Sequence, residues 1–66
     1  MKEHDIVRLK EDRNDLGVKS SYIGAIIDIS PDGIYYTVEF IDENRETIEA
    51  SLWTEFTKSE LVSVFS

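Results

Sequence analysis

Two apolar runs of period two flank the tetrapeptide Ser30-Pro31-Asp32-Gly33, and no other feature constrains the fold as strongly. Side chains of a strand point alternately to its two faces. The run from Ile23 to Ile29 therefore puts Ile23, Ala25, Ile27 and Ile29 on one side. The run from Ile34 to Ile41 does the same with Ile34, Tyr36, Val38 and Phe40. Proline at i+1 and glycine at i+3 suit a type I turn between them. A four-residue loop at Ser30–Gly33 pairs Ile29 with Ile34, Ile27 with Tyr36, Ala25 with Val38 and Ile23 with Phe40. In that register every apolar residue meets another, which is what fixes register when one face is buried.

The rest of the chain extends this hairpin into an all-β meander. Ile6 to Leu9 reads as a short strand with Val7 and Leu9 inward, and Leu61 to Phe65 as a final one. Thr47 to Trp53 alternates with Ile48, Ala50 and Leu52 inward. A three-residue loop, Glu43-Asn44-Arg45, then pairs Phe40 with Ile48, Val38 with Ala50 and Tyr36 with Leu52. Lys10 to Tyr22 is a long polar flap between the first two strands, and Thr57 with Glu60 forms a capping box on one helical turn. The predicted architecture is a small five-stranded SH3-like barrel. It has a long first loop, one helical turn before the last strand, and a single domain over residues 1–66. At 66 residues without cysteine, neither disulfides nor cysteine-bound zinc can brace so small a core.

The same register populates the outer face. It sets Asp28 opposite Tyr35, Ile26 opposite Thr37, Gly24 opposite Glu39, Glu39 opposite Glu49, Thr37 opposite Ser51 and Tyr35 opposite Trp53. Like charges directly opposed destabilise a sheet, so the Glu39–Glu49 pair asks for a reason. Asp42, Glu43 and Glu46 crowd the adjoining loop, with Arg45 and Lys58 nearby. Acids that steer beside aromatic anchors make up a protein-binding patch, here Tyr35, Glu39, Asp42, Glu43, Glu46, Glu49 and Trp53. A solvated face diluted by salt is the plainer alternative. An aromatic cage for a methylated lysine would need Tyr22, Tyr35, Tyr36 and Trp53 to converge, whereas the pattern turns Tyr36 inward.

Charge limits the partners. Fourteen acids against seven bases leave a net charge of −7, which opposes both phosphate backbones and anionic lipid headgroups. The expected partner is a basic protein. No apolar run reaches the ~20 residues of a membrane helix, and the expected compartment is the cytoplasm. One histidine, His4, and no cysteine leave little for nucleophilic or metal chemistry. The chain reads as a non-enzyme without cofactor or metal.

The order Asp5-Ile6-Val7-Arg8-Leu9, Gly17, Tyr22-Ile23-Gly24-Ala25-Ile26-Ile27, Pro31-Asp32-Gly33, Tyr36-Thr37-Val38-Glu39-Phe40 and Asp42-Glu43 resembles the small bacterial domains of domain-of-unknown-function family 4926. The resemblance spans nearly the whole chain, and Trp53 to Ser66 departs from the family's leucine-rich ending. It implies an SH3-like fold akin to ribosomal KOW segments and brings no activity with it. Small genes of this kind often look like members of toxin–antitoxin or toxin–immunity pairs. With the acidity, this leads to an expected immunity protein or antitoxin neutralising a basic, nuclease-like toxin. The alternatives are a KOW-like nucleic-acid or ribonucleoprotein accessory domain, or a small SH3-like subunit of a larger enzyme complex.

Overall fold

The computed structural model describes residues 1–64. Five strands, β1 (Ile6–Leu9), β2 (Gly24–Ile29), β3 (Tyr35–Phe40), β4 (Phe56–Thr57) and β5 (Leu61–Ser63), form one antiparallel sheet in the order β4-β3-β2-β1-β5. A four-residue helix, α1 (Glu49–Leu52), precedes β4, and a 3-10 turn (Lys58–Glu60) joins β4 to β5. Among the described residues β4 and β5 are the two edges of the sheet. Phe65, the expected end of the last strand, lies outside the described residues.

One side of the sheet buries Val7, Leu9, Ile26, Tyr36, Val38, Phe40, Phe56 and Leu61 together with Val18 from the flap. Val7, Leu9, Tyr36, Val38 and Phe40 are where alternation places them. β2 is not. Its register is Gly24↔Phe40, Ala25↔Glu39 and Ile26↔Val38, one residue off the predicted pairing, so Gly24 and Ile26 face the core while Ile23 and Ile27 are exposed. That register fits because β3 packs closely over Gly24. A Cβ on Gly24 would lie 2.8 Å from side-chain carbons of both Phe40 and Val38 and 2.9 Å from the Glu39 carbonyl, so the inward place opposite Phe40 admits only glycine. A bulge at Ile27 then restores parity, and Ile29, opposite Tyr36, packs against the core as expected.

The first hairpin turns where proline and glycine predict. The Gly33 N–H donates to the Ser30 carbonyl at 2.9 Å, and Gly33 has φ +76°. Ser30 and Tyr35 still pair across it (2.9 Å), so the loop is Pro31–Ile34 rather than Ser30–Gly33, and Ile34 is exposed.

The second hairpin keeps its three-residue loop. Asp42 meets Glu46, Ile41 bridges Thr47, and the Ile48 N–H donates to the Phe40 carbonyl at 2.8 Å. The predicted strand Thr47–Trp53 ends there. Glu49-Ala50-Ser51-Leu52 has no β-branched residue and good helix formers, and it coils. Ala50 is exposed, and Ser51 takes the buried position. The Ser51 hydroxyl donates to the Ile48 carbonyl (2.7 Å) and accepts the Phe40 N–H (3.1 Å), taking the place of a strand partner on the edge of β3. Phe56–Thr57 supplies the fourth strand instead, pairing with Tyr36 and Tyr35. Phe56 packs edge-on against Phe40, with ring centroids 5.3 Å apart at 74°.

The flap is pinned at both ends. Arg13 and Val18 bridge, Val18 is buried, and the Ser20 N–H donates to Asp12 at 2.7 Å. Arg13 lies 5.9 Å from the Phe56 ring centroid and pairs with Asp15 (3.0 Å) and Glu60 (2.9 Å). The predicted helical turn forms: Glu60 Oε1 accepts both the backbone N–H and the hydroxyl of Thr57, each at 3.0 Å. Burial pushes the Glu60 carboxyl up. The Thr57 donors and the Arg13 guanidinium outweigh it and hold the carboxyl below its ordinary value.

Candidate functional site

The acidic loop is built by Asp42. Its Oδ1 accepts the N–H groups of Asn44 (2.8 Å) and Glu46 (3.0 Å), while Arg45 takes the left-handed conformation, φ +64°, that closes a three-residue turn. Glu43 and Glu46 project from it, both exposed. Glu39, half-buried on the outer side of β3, is oriented by the Thr47 hydroxyl, which donates to Oε2 at 2.7 Å. Among the described residues the ion pairs are those of Arg13, so Glu39, Asp42, Glu43 and Glu46 carry no countercharge within 4.0 Å.

The structure thus brings four of the seven expected site residues together and separates three. Glu49 does not face Glu39 across two strands. It opens α1, and Glu39 pairs with Ala25. Tyr35 begins β3, opposite Thr57 rather than Trp53, and four residues along the strand put it about 13 Å from Glu39. Trp53 follows α1 and is 86% exposed, pointing outward as expected but from a helical turn. The other predicted outer pairs shift with the register, Asp28 now facing Thr37 and Ile26 facing Val38. No aromatic cage assembles: Tyr36 is buried, and Tyr22 packs on the core with the Lys19 amine 6.0 Å from its ring centroid.

In place of the aromatic anchors, the register shift exposes aliphatic ones. Ile6, Ala25 and Glu39 form one row across the outer face, by the pairing of β1, β2 and β3. Ile23, Ile41 and Thr47 form the next, joined by the Ile41 N–H to Ile23 carbonyl bond (3.0 Å) and the Ile41–Thr47 bridge. These rows line an open groove of about 340 Å³, with Arg45 at its rim. A second concavity, of about 330 Å³, lies between the flap and the 3-10 turn, where Arg13 and Glu60 already satisfy one another. Alternation alone did not reveal the groove, because the β2 run carries apolar residues on both parities. The visible signal was Ile41, an isoleucine continuing the outward parity of Glu39.

Among the described residues no group of three or more His, Cys, Asp or Glu side chains is gathered as metal ligands. No helix among them is long and apolar enough to cross a membrane. No curated protein and no solved structure matches the chain. A family model does match, over residues 3–52, taking in β1, β2, β3, the acidic loop and α1 and stopping one residue short of Trp53. Covering well over half of the sequence, and agreeing with the order of motifs from Asp5 to Glu43, that match makes the chain a member of the family described as Domain of unknown function (DUF4926).

Proposed function

We propose that this chain is a non-catalytic, acidic protein-binding module that engages a basic protein, in the manner of an immunity protein or antitoxin neutralising a basic, nuclease-like toxin. The observation that carries the reading is the segment Glu39–Glu49. Within it Glu39, Asp42, Glu43 and Glu46 stand with one base, Arg45, on and beside an open sheet face, none of them ion-paired among the described residues, while Glu49 has moved onto α1. Charges left without internal partners steer association and suppress wrong partners. Tyr35 and Trp53 flank the segment as separate contacts. The compartment that suits this role is the cytoplasm.

The finer fold reading is an SH3-like barrel. Support comes from the strand order β4-β3-β2-β1-β5, the 3-10 turn between β4 and β5, and the bulge at Ile27, which bends β2 as closure requires. A KOW-like role on nucleic acid shares that architecture, but the charge opposes it.

Affinity capture with the wild-type chain and with Glu39→Lys/Glu43→Lys/Glu46→Lys as baits tests the function. A basic protein held by the wild type, released as salt rises and missed by the triple variant is the expected result. Equal retention by both baits, or retention of nothing, removes the reading.

A further inference from the structure

Three features stand out beyond the acidic loop itself. Trp53 is isolated and the flap concavity is internally paired, which leaves the groove on the outer face as the strongest candidate for a binding site. Its floor is aliphatic, from Ile6, Ile23, Ala25 and Ile41, with Ile23 44% exposed. One wall is Glu39, a carboxylate oriented by Thr47 and lacking a cation. Beyond the floor stand Asp42, Glu43 and Glu46. A concave apolar patch with polar and charged residues at its rim, here Glu39, Thr47 and Arg45 beside the acidic loop, marks an interaction site rather than incidental surface.

The two rows are two residues apart along β2 and β3, about 6.6 Å, which is the distance between same-side residues i and i+2 of an extended chain. We infer that the groove takes an extended, basic segment of the partner protein, with an aliphatic side chain on Ile23 and Ile41 and lysine or arginine two residues away on Glu39. This deepens the protein-binding reading and rests on it. Charge selects this occupant. A second copy of the chain would bring another net −7 against the same rim. Arg45 is the single base at the groove and opposes the incoming cation, so its removal should tighten binding.

The test is a titration of the isotopically labelled chain, followed by NMR, with the peptide Gly-Lys-Gly-Leu-Gly-Lys-Gly. Two companions replace its leucine by glycine or both lysines by glutamate. The expected result is saturable shifts centred on Ile6, Ile23, Ala25, Glu39, Ile41 and Thr47. Removing the leucine should weaken binding about tenfold, as loss of one buried aliphatic side chain does. Glu39→Gln should weaken it about threefold, and the glutamate peptide should not bind. Ile23→Ser should weaken the leucine peptide and leave the glycine peptide unchanged; it and Glu39→Gln alter exposed or half-exposed positions, and a circular dichroism spectrum checks that each remains folded. If the leucine and glycine peptides bind equally, with shifts confined to Asp42–Glu46, the groove assignment falls while the acidic module stands. If no lysine peptide binds, both fall. Shifts on groove residues that grow with protein concentration alone would assign the face to self-association and overturn the proposal.

Discussion

The two hairpins that share β3 are closed by the same device and end differently. In the first, Asp32 accepts the Ser30 hydroxyl and the Ile34 N–H (3.0 Å); in the second, Asp42 accepts the N–H groups of Asn44 and Glu46. Each loop has one residue at positive φ, Gly33 in the first and Arg45 in the second. Beyond the loops they diverge. The first continues into two six-residue strands rich in β-branched and aromatic side chains. The second pairs only as far as Ile48, where helix-forming residues take over and Ser51 finishes the hydrogen bonding of β3. A turn sets register, and the residues beyond it decide whether there is a strand to register.

The sharpest way to break the contrast is Gly24→Val, which forces a branched side chain into the space of Phe40 and Val38. We expect a loss of about 3 kcal/mol, the upper end of core overpacking, read from urea denaturation. A near-neutral result would mean that β2 can slip by one residue to the pairing its alternation suggests. Ser51→Ala probes the second hairpin. It leaves the Phe40 N–H without its acceptor in a buried setting, at a cost of about 2 kcal/mol. Thermal melts of the alanine and threonine variants should differ, since threonine keeps the hydroxyl.

Acid probes the first loop more gently. The Asp32 carboxyl is held below its ordinary value by the Ser30 hydroxyl first and the Ile34 N–H second. With the folded value depressed, the unfolded chain takes up the proton first as pH falls. Its contribution is therefore in place above pH ~3.9 and lost as pH drops through the folded value. Protection of the Ile34 and Tyr35 amides against hydrogen exchange, taken relative to the intrinsic rate at each pH, should fall over that range, and unchanged protection would show the carboxylate to be dispensable. Smallest of all is Arg45→Gly. It removes a side chain from the left-handed region at the cost of a freer unfolded chain, for a net gain of about 0.5 kcal/mol, whereas Gly33→Ala should lose about 1 kcal/mol. Opposite signs in a matched pair of melts would confirm that the left-handed position of each loop acts through its backbone conformation, beside the aspartate that closes the loop.

Much of this was legible in the chain. Where one parity of a strand is apolar and the other polar, as in Val7 and Leu9 or in Tyr36, Val38 and Phe40, alternation named the buried face. Where both parities are apolar, as from Ile23 to Ile29, it could not. The residue that decided the matter, Gly24, has no hydrophobicity to read. Thr47–Trp53 misled for a related reason: Ile48, Ala50 and Leu52 fit a period of two, while Ile48, Ser51 and Leu52 fit a helical turn equally well. Phe56, fully buried beside Phe40, sits in a segment too short for any period to show. The candidate site followed the same division. The acids of the loop stayed together because they are neighbours in sequence, and Tyr35, Trp53 and Glu49 dispersed because their meeting depended on a strand that coils.

Local chemistry sufficed for features that span a few residues: the place of both turns though not the register of the first, the Thr57–Glu60 cap, the buried parity of β1 and β3, and an excess of negative charge that no folding can remove. Tertiary packing alone chose which side of β2 faces inward and so which isoleucines meet water, because that choice is the fit of one large ring over one missing Cβ, and steric fit between distant residues leaves no trace in the pattern of either.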